Sequence, residues 1–203
     1  MESISPIVVA FITGVLGPVL IIIIRNWIEK KKTSAKPDML ADALRIGELV
    51  SLKIDQIRED FKADRVWVTQ FHNGGHFYPT GKSIAKFSVI YETVNTNTQS
   101  IQANFQNIPV NLFTKSMNRL LDAEVIAIPD FADDSISTFG LKYIAEESKC
   151  KASYLFAIKT LDDKFIGVLG LDFTKRKVKL DQESINHLSV SASTLGGALI
   201  STH

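Results

Sequence analysis

The sequence contains only one cysteine, Cys150, among its 203 residues. One thiol cannot form an intrachain disulfide, and it cannot supply the several thiolates of a typical structural zinc site. The expected role of Cys150 is therefore that of a buried, unreactive side chain in a reducing compartment.

An excess of charge of one sign is lacking as well. The 23 Lys and Arg residues are balanced by 22 Asp and Glu residues, which gives a formal net charge of +1. No overall field selects a polyanion, so nucleic acid is not an expected partner. The short basic run at residues 175–179 could contact phosphates or lipid head groups, but a solvated strand-and-turn surface accounts for it equally simply.

Motifs of common enzymes are missing. The sequence contains neither the Gly-x-Ser-x-Gly elbow of serine hydrolases nor the glycine patterns that bind phosphate or dinucleotides. "PTGKS" ends like a phosphate-binding loop, but His76 occupies the position where that loop needs its first glycine. We therefore predict no catalytic residues and expect that the protein is not an enzyme.

What the sequence does contain is a long apolar run at residues 4–24. None of these 21 residues is charged, and 14 of them are Ile, Val, Leu or Phe. As a helix the run would extend about 31 Å, enough to cross the hydrocarbon core of a bilayer. The run predicts an uncleaved transmembrane anchor over residues 1–25, with a buried core helix as the alternative.

The charges around this run predict its orientation. No Lys or Arg precedes the run, whereas Arg25, residues 30–32 and Lys36 follow it closely. Basic residues remain on the cytoplasmic side, so we expect a single-pass membrane protein with its N-terminus outside and its large C-terminal part in the cytoplasm. A lipid membrane is accordingly an expected partner.

Two segments carry helical periodicity and bracket the rest of the chain. Residues 26–64 are interpreted as a basic juxtamembrane segment and a linker helix, and residues from 182 onward as a C-terminal helix. In both segments apolar and small residues recur at intervals of three and four positions. This spacing predicts a coiled-coil bundle in a homo-oligomer, although packing of the helices on the chain's own sheet explains it as well. The proposed interface residues are Val50, Ile54, Ile57, Phe61, Leu188, Leu195 and Leu199.

Between these helices the periodicity becomes that of strands. Residues 65–71 alternate, with Val66 and Val68 on one face and Trp67 and Phe71 on the other, and residues 86–94 are rich in β-branched and aromatic side chains. Strands are further predicted at 124–128, 152–160 and 165–173, and helices at 110–121 and 137–147. The predicted class is α+β, with one antiparallel sheet and flanking helices in a domain over residues 65–203.

The second half of this domain resembles a known family. "VIAIPDFADD", a helix, and then "CKASYLFAIKTLDDKFIGVLGLDF" before a last helix are similar to a GAF domain, clearly over residues 124–199 and loosely over 65–121. The resemblance implies a small-molecule sensor or dimerisation module with a pocket between the sheet and the elements over one face. Gly167 and Gly170 would allow a helix or ligand to approach the strand closely.

The resemblance also limits the ligand. Members of the family that bind cyclic nucleotides carry an Asn-Lys, Phe, Asp-Glu pattern, whereas this chain has Thr174-Lys175, Val178 and Gln182-Glu183 at the matching positions. Cyclic-nucleotide binding is therefore not supported. Members that attach a bilin use a pocket cysteine, and the sequence alone does not place Cys150 in a pocket, so no cofactor is predicted.

The polar stretch "FHNGGHFYPTG", residues 71–81, has three interpretations. His72 and His76 have the spacing of metal ligands on a helix, but the intervening glycines disfavour a helix, so no metal site is predicted. Asn73-Gly74 favours a plain hairpin turn. The stretch could also close over a pocket and bind a small ligand. The proposed ligand-binding residues are His72, Asn73, His76 and Tyr78, with Lys86 and Tyr91 from the next strand.

Two functions follow from these observations. The first is a membrane-anchored, non-enzymatic GAF-like sensor that binds a small ligand or partner. The second is a structural or assembly subunit, at a membrane or in a phage-derived particle, that uses the fold without a ligand. Residues 71–92 are similar to GAF-like proteins of bacteriophages and bacteria, which suits the second function.

Overall fold

A computed structural model describes residues 14, 17–33, 39–76 and 79–200. The chain divides into two compact units, one up to Met39 and one from Leu40 onward. Within the first unit, helix α1 spans Gly17–Thr33, and its apolar side chains from Val19 to Ile24 are exposed.

The predicted membrane span lies only partly within the described residues. Among those residues, no helix combines the length and the apolar character that crossing a membrane requires. Most of residues 4–16 lies outside the described part of the chain. The anchor and its orientation therefore remain predictions.

The second unit is an antiparallel six-stranded sheet with helices on both faces. The strand order is β3-β2-β1-β6-β5-β4. The strands are β1 Arg65–His76, β2 Ser83–Val94, β3 Ile108–Pro109, β4 Val125–Ile128, β5 Ala152–Lys159 and β6 Phe165–Phe173. The helices are α2 Met39–Phe61, α3 Thr114–Ala123, α4 Lys142–Glu147 and α5 Gln182–Ile200, with a 3-10 turn at Val110–Phe113 before α3. The α+β class is confirmed.

The alternation in β1 sorts its side chains onto two faces, as predicted. Val66 and Val68 pack with residues of α2 and α5 in one apolar cluster. Trp67 and Phe71 face a second cluster, formed with residues of α3, α4 and the loop after β4. The sheet therefore has one face covered by the long helices and one covered by short helices and loops.

The residues proposed for a coiled-coil interface lie inside this fold. Val50, Ile54, Ile57, Leu188 and Leu195 are all buried in the cluster beneath α2 and α5. Packing on the chain's own sheet thus accounts for the steps of three and four, and these side chains are not accessible to a second copy. Phe61 and Leu199 pack at the edge of the same cluster.

One predicted helix is much shorter than expected. Residues 137–147 were expected to be helical, but α4 begins only at Lys142. Phe139 and Gly140 have φ values of 49° and 85°, which a right-handed helix cannot contain. The segment before α4 forms turns instead.

The two strand glycines accept parts of β1 rather than a helix or a ligand. A Cβ at Gly170 would overlap the ring of Trp67, and a Cβ at Gly167 would overlap the carbonyl of Thr69. Trp67 therefore lies flat against β6, at the face that carries the second cluster.

Candidate ligand-binding site

An apolar cavity, here called the inner cavity, lies between the sheet and its covering elements. Its volume is about 80 Å³. The sheet contributes Trp67, Thr69, Phe87, Val89, Leu155 and Val168, and the covering elements contribute Ile101, Phe105, Phe113, Leu120, Ile144 and Ala145. Cavities of this kind exclude water when their walls are apolar and then accept apolar ligands.

A wider opening, here called the outer cleft, lies next to the inner cavity and measures about 490 Å³. It is formed by the segment around residues 99–113 and by α4. The two spaces share five lining residues, Ile101, Phe105, Phe113, Ile144 and Ser148. These side chains form the boundary between the cavity and the cleft.

A buried ion pair forms the polar end of the inner cavity. The Nε and Nη2 atoms of Arg65 donate to Oδ2 of Asp172 at 2.8 and 2.7 Å. Trp67 Nε1 donates to the same oxygen at 2.9 Å, and Ser153 Oγ donates to Oδ1 at 2.7 Å. Arg65 and Asp172 are only 1% and 5% exposed, so these hydrogen bonds replace the water that both charges have lost.

A second carboxylate, that of Glu92, holds the segment that covers the cavity by hydrogen bonds. Glu92 Oε1 accepts the backbone N–H of Ile101 at 2.9 Å, and its Oε2 accepts that of Gln102 at 3.1 Å. Arg65 Nη1 donates to the carbonyl of Gln99 at 2.8 Å. The covering segment, residues 95–107, is thereby attached to the sheet by the same buried charges that border the cavity.

The covering segment also forms hydrogen bonds to β2 that involve no charged group. The backbone N–H of Val89 donates to the carbonyl of Phe105 at 2.8 Å, and Ser88 Oγ accepts the N–H of Asn107 at 2.9 Å. The side chain of Gln106 donates to the carbonyl of Val89 at 2.7 Å. The covering segment is therefore an ordered wall of the site.

Cys150 lies in the wall of the inner cavity, which the sequence alone did not place. Burial raises the pKa of its thiol far above the ordinary value. The Sγ atom donates to the carbonyl of Ala152 at 3.1 Å. A protonated, hydrogen-bonded thiol is a poor nucleophile, so the expectation of an unreactive cysteine agrees with its surroundings.

The residues proposed for ligand binding lie away from this site. His72 and Lys86 are directly paired across β1 and β2, and the alternation from Phe71 places them on the opposite face of the sheet. His72 Nε2 lies 3.0 Å from Ser88 Oγ. Tyr91 packs beneath α2, next to Gly47.

The remaining members of that set belong to the hairpin itself. Asn73 Oδ1 accepts the N–H of Gly75 at 3.1 Å, and His76 Nδ1 lies 3.4 Å from Ser83 Oγ. Tyr78 is outside the described residues. None of the five described residues of the set lines the inner cavity or the outer cleft. The local bonds of Asn73 and His76 are those of a hairpin turn.

The acidic residues after β4 each have a lysine or serine partner. Asp130 accepts a bond from Lys177 at 2.6 Å, which lowers the pKa of its carboxyl, and Asp134 accepts one from Lys142 at 2.7 Å. Asp133 accepts bonds from Ser135. Within the part of the chain that the structure describes, no three potential metal ligands come together.

Comparison with known proteins bears on the fold. No family model and no curated protein matches the sequence. Solved structures do match. The blue-light absorbing form of the PixJ GAF domain from Thermosynechococcus elongatus has a TM-score of 0.61 at 17% identity, covering 78% of this chain and 87% of that chain.

Two further structures agree with the first. The phycoerythrobilin-bound GAF domain of a cyanobacterial phytochrome gives a TM-score of 0.61 at 18% identity, covering 78% of this chain and 86% of that one. A GAF domain of Synechocystis sp. PCC6803 in its photoproduct state gives 0.57 at 20%, covering 76% and 92%. The fold is that of a GAF domain. At these identities the likeness extends to the fold alone.

The sequence resemblance predicts a pocket between the sheet and the elements over one face. The inner cavity and outer cleft occupy that position here. The charged residues that line the inner cavity, Arg65 and Asp172, are 107 positions apart, so no local motif joins them. The signal of Asp172 in the sequence is a charge near the end of an otherwise apolar strand, and Arg65 begins the alternating run of β1.

Proposed function

We propose that this protein is a non-enzymatic sensor that binds a small molecule in the inner cavity and the outer cleft. The observation that carries the proposal is an apolar cavity, closed by an ordered cover and adjoining a wider cleft, on the sheet face where GAF-like folds have their pocket. The solved structures of similar fold include a GAF domain with a bound phycoerythrobilin, which supports a small-molecule ligand for this fold.

The volumes limit what can bind. An engineered cavity of about 150 Å³ holds benzene, so the inner cavity, at about 80 Å³, admits a benzene-sized ring only when its cover moves and the cavity widens. The outer cleft, at about 490 Å³, falls in the usual range for ligand pockets. A four-ring bilin does not fit the inner cavity without movement of the cover. The proposed ligand therefore spans both spaces, with its smaller apolar end innermost.

A ligand at this position can influence the other face of the sheet. Trp67 borders the inner cavity, and its neighbours Val66 and Val68 on β1 pack beneath α2 and α5. A ligand that binds one arrangement of β1 more tightly shifts the population toward that arrangement. We propose that the output is a change in the packing of α2 and α5.

The proposal includes a location. The apolar run at residues 4–24 and the basic residues after it favour a single-pass anchor with the sensor in the cytoplasm. A shared membrane would hold neighbouring copies parallel, which favours a homo-oligomer. Because the proposed seam residues are buried, the contacts between copies would have to use exposed positions such as Leu49 and Leu52.

Thermal unfolding of the full chain with indole and ethylbenzene tests the sensor proposal. Both compounds are larger than the cavity as it stands, so we expect them to bind with movement of the cover. They should then raise the Tm, because a ligand that binds only the folded state stabilises it by about 2.7 kcal/mol at roughly 100 times its Kd. Ala145→Phe, which fills the inner cavity, should remove the shift, whereas Ala127→Phe on the exposed face of β4 should retain it. Equal shifts in both variants would contradict the proposal, and silence across a broad screen would favour the assembly function.

A further inference from the structure

The charges that surround the site are unevenly divided. Among the described residues, the only charged side chains lining the inner cavity are Arg65 and Asp172, and the only one lining the outer cleft is Glu147. Glu92 adds a further carboxylate, because its Oε1 lies 4.0 Å from Arg65 Nε. These four side chains are one cation, Arg65, and three anions.

The single cation is already engaged. The guanidinium of Arg65 donates to Asp172 through Nε and Nη2 and to the carbonyl of Gln99 through Nη1. An anionic ligand would have to displace Asp172, which also accepts bonds from Trp67 and Ser153. Arg65 is therefore a structural partner for a carboxylate and a poor receptor for an incoming anion.

Neither Lys142 of α4 nor Lys149, which follows the helix, lines the outer cleft. Lys142 Nζ lies 2.7 Å from Asp134 Oδ1, in the loop before the helix. The lining side chains together with Glu92 thus carry one positive and three negative charges, and this net negative charge disfavours the entry of carboxylates and phosphates.

Two side chains of α4 at the outer cleft have the chemistry that recognises an ammonium group. Tyr143 and Glu147 are four residues apart, so they lie on the same side of the helix, and both line the cleft. Tyr143 is 74% exposed, which leaves its ring accessible. An aromatic ring and a carboxylate together attract organic cations through cation–π and ionic interactions.

We propose that the ligand is an amphiphilic amine. Its apolar end occupies the inner cavity, and its ammonium group lies in the outer cleft beside Tyr143 and Glu147. Anionic analogues of the same shape bind more weakly. This inference rests on the proposed function, since it names the class of ligand for the same site.

Three compounds of matched shape test the ligand class by calorimetric titration of the full chain: phenethylamine, 2-phenylethanol and 3-phenylpropionate. We expect the amine to bind about threefold more tightly than the alcohol, a ratio within the range of exposed ion pairs. The propionate should bind at least about tenfold more weakly than the amine, because its carboxylate meets acidic residues. Titration of the Ala145→Phe variant under the same conditions measures binding of the three compounds outside the inner cavity.

A charge-neutral variant tests the role of α4. Glu147→Gln should reduce the advantage of the amine over the alcohol, because it removes the carboxylate and keeps the ring of Tyr143. Glu146→Gln, its exposed neighbour that does not line the cleft, is the matched control and should preserve the advantage.

The outcomes separate the two proposals. Propionate binding as tight as amine binding overturns the amine assignment while the sensor proposal stands. An amine advantage undiminished by Glu147→Gln overturns the placement of the ammonium group beside Glu147. Failure of all three compounds overturns the amine assignment too. If indole and ethylbenzene also give no shift in Tm, the sensor proposal itself is overturned.

Discussion

At the scale of single residues, the buried pair of Arg65 and Asp172 organises both the site and its cover. Asp172 receives four hydrogen bonds, and Arg65 also fixes the covering segment through Gln99. A buried ion pair is weak support for stability as a whole, but the loss of one partner is costly because the other charge stays buried.

The change Asp172→Asn tests this role. It keeps the shape of the side chain but leaves Arg65 without its main counter-charge, so we expect the free energy of unfolding to fall by about 3–5 kcal/mol, measured by urea denaturation. The presence of Glu92 at 4.0 Å favours the lower end of that range.

A matched control is Asp134→Asn, which removes the exposed ion pair with Lys142. Exposed pairs of this kind often contribute nothing measurable, so this variant should unfold like the parent. Equal stability of the two variants would show that Arg65 does not depend on Asp172.

At the scale of secondary-structure elements, the sequence predicted most of the sheet. Alternation in β1 assigned Val66 and Trp67 to the correct faces, and the hairpin formed by β5 and β6 lies at the predicted residues. Such patterns are visible within a few consecutive residues, since side chains alternate between the two faces of any half-buried strand. The helix before residue 142 was predicted wrongly because left-handed φ values at Phe139 and Gly140 were not evident from apolar spacing.

The candidate site was not predictable in the same way. The sequence drew attention to polar residues of the hairpin at residues 71–81, whereas the site is built mainly from apolar side chains of separate elements. Ala145 and Val168, for example, become neighbours of one cavity only through the folded topology. Polar loops stand out in a sequence, but the walls of an apolar cavity look like ordinary core residues.

At the scale of the whole molecule, the sheet of the second unit separates two differently packed layers. One face holds α2 and α5 in a well-packed cluster, and the other carries the inner cavity beneath its cover. The proposed sensor uses the sheet between them as the connection.

Membrane anchoring is the prediction that belongs to this scale. We expect the full chain to remain in the membrane fraction after alkaline carbonate washing, whereas a chain that begins at Ala35 should be released. A variant with residues 30–32 changed to alanine should stay with the membrane, because the apolar run supplies most of the binding free energy. Recovery of the full chain in the soluble fraction would contradict the anchor.

The central claim is that the inner cavity receives the ligand, and methyl-resolved NMR of the full chain titrated with indole tests it most directly. The account predicts that the methyl resonances of Val89, Leu155 and Val168 shift on titration, because these side chains line the cavity. Those of Val50 and Leu188, on the opposite face, should change less. Shifts confined to the opposite face, or no saturable shift at the cavity methyls, would contradict the account.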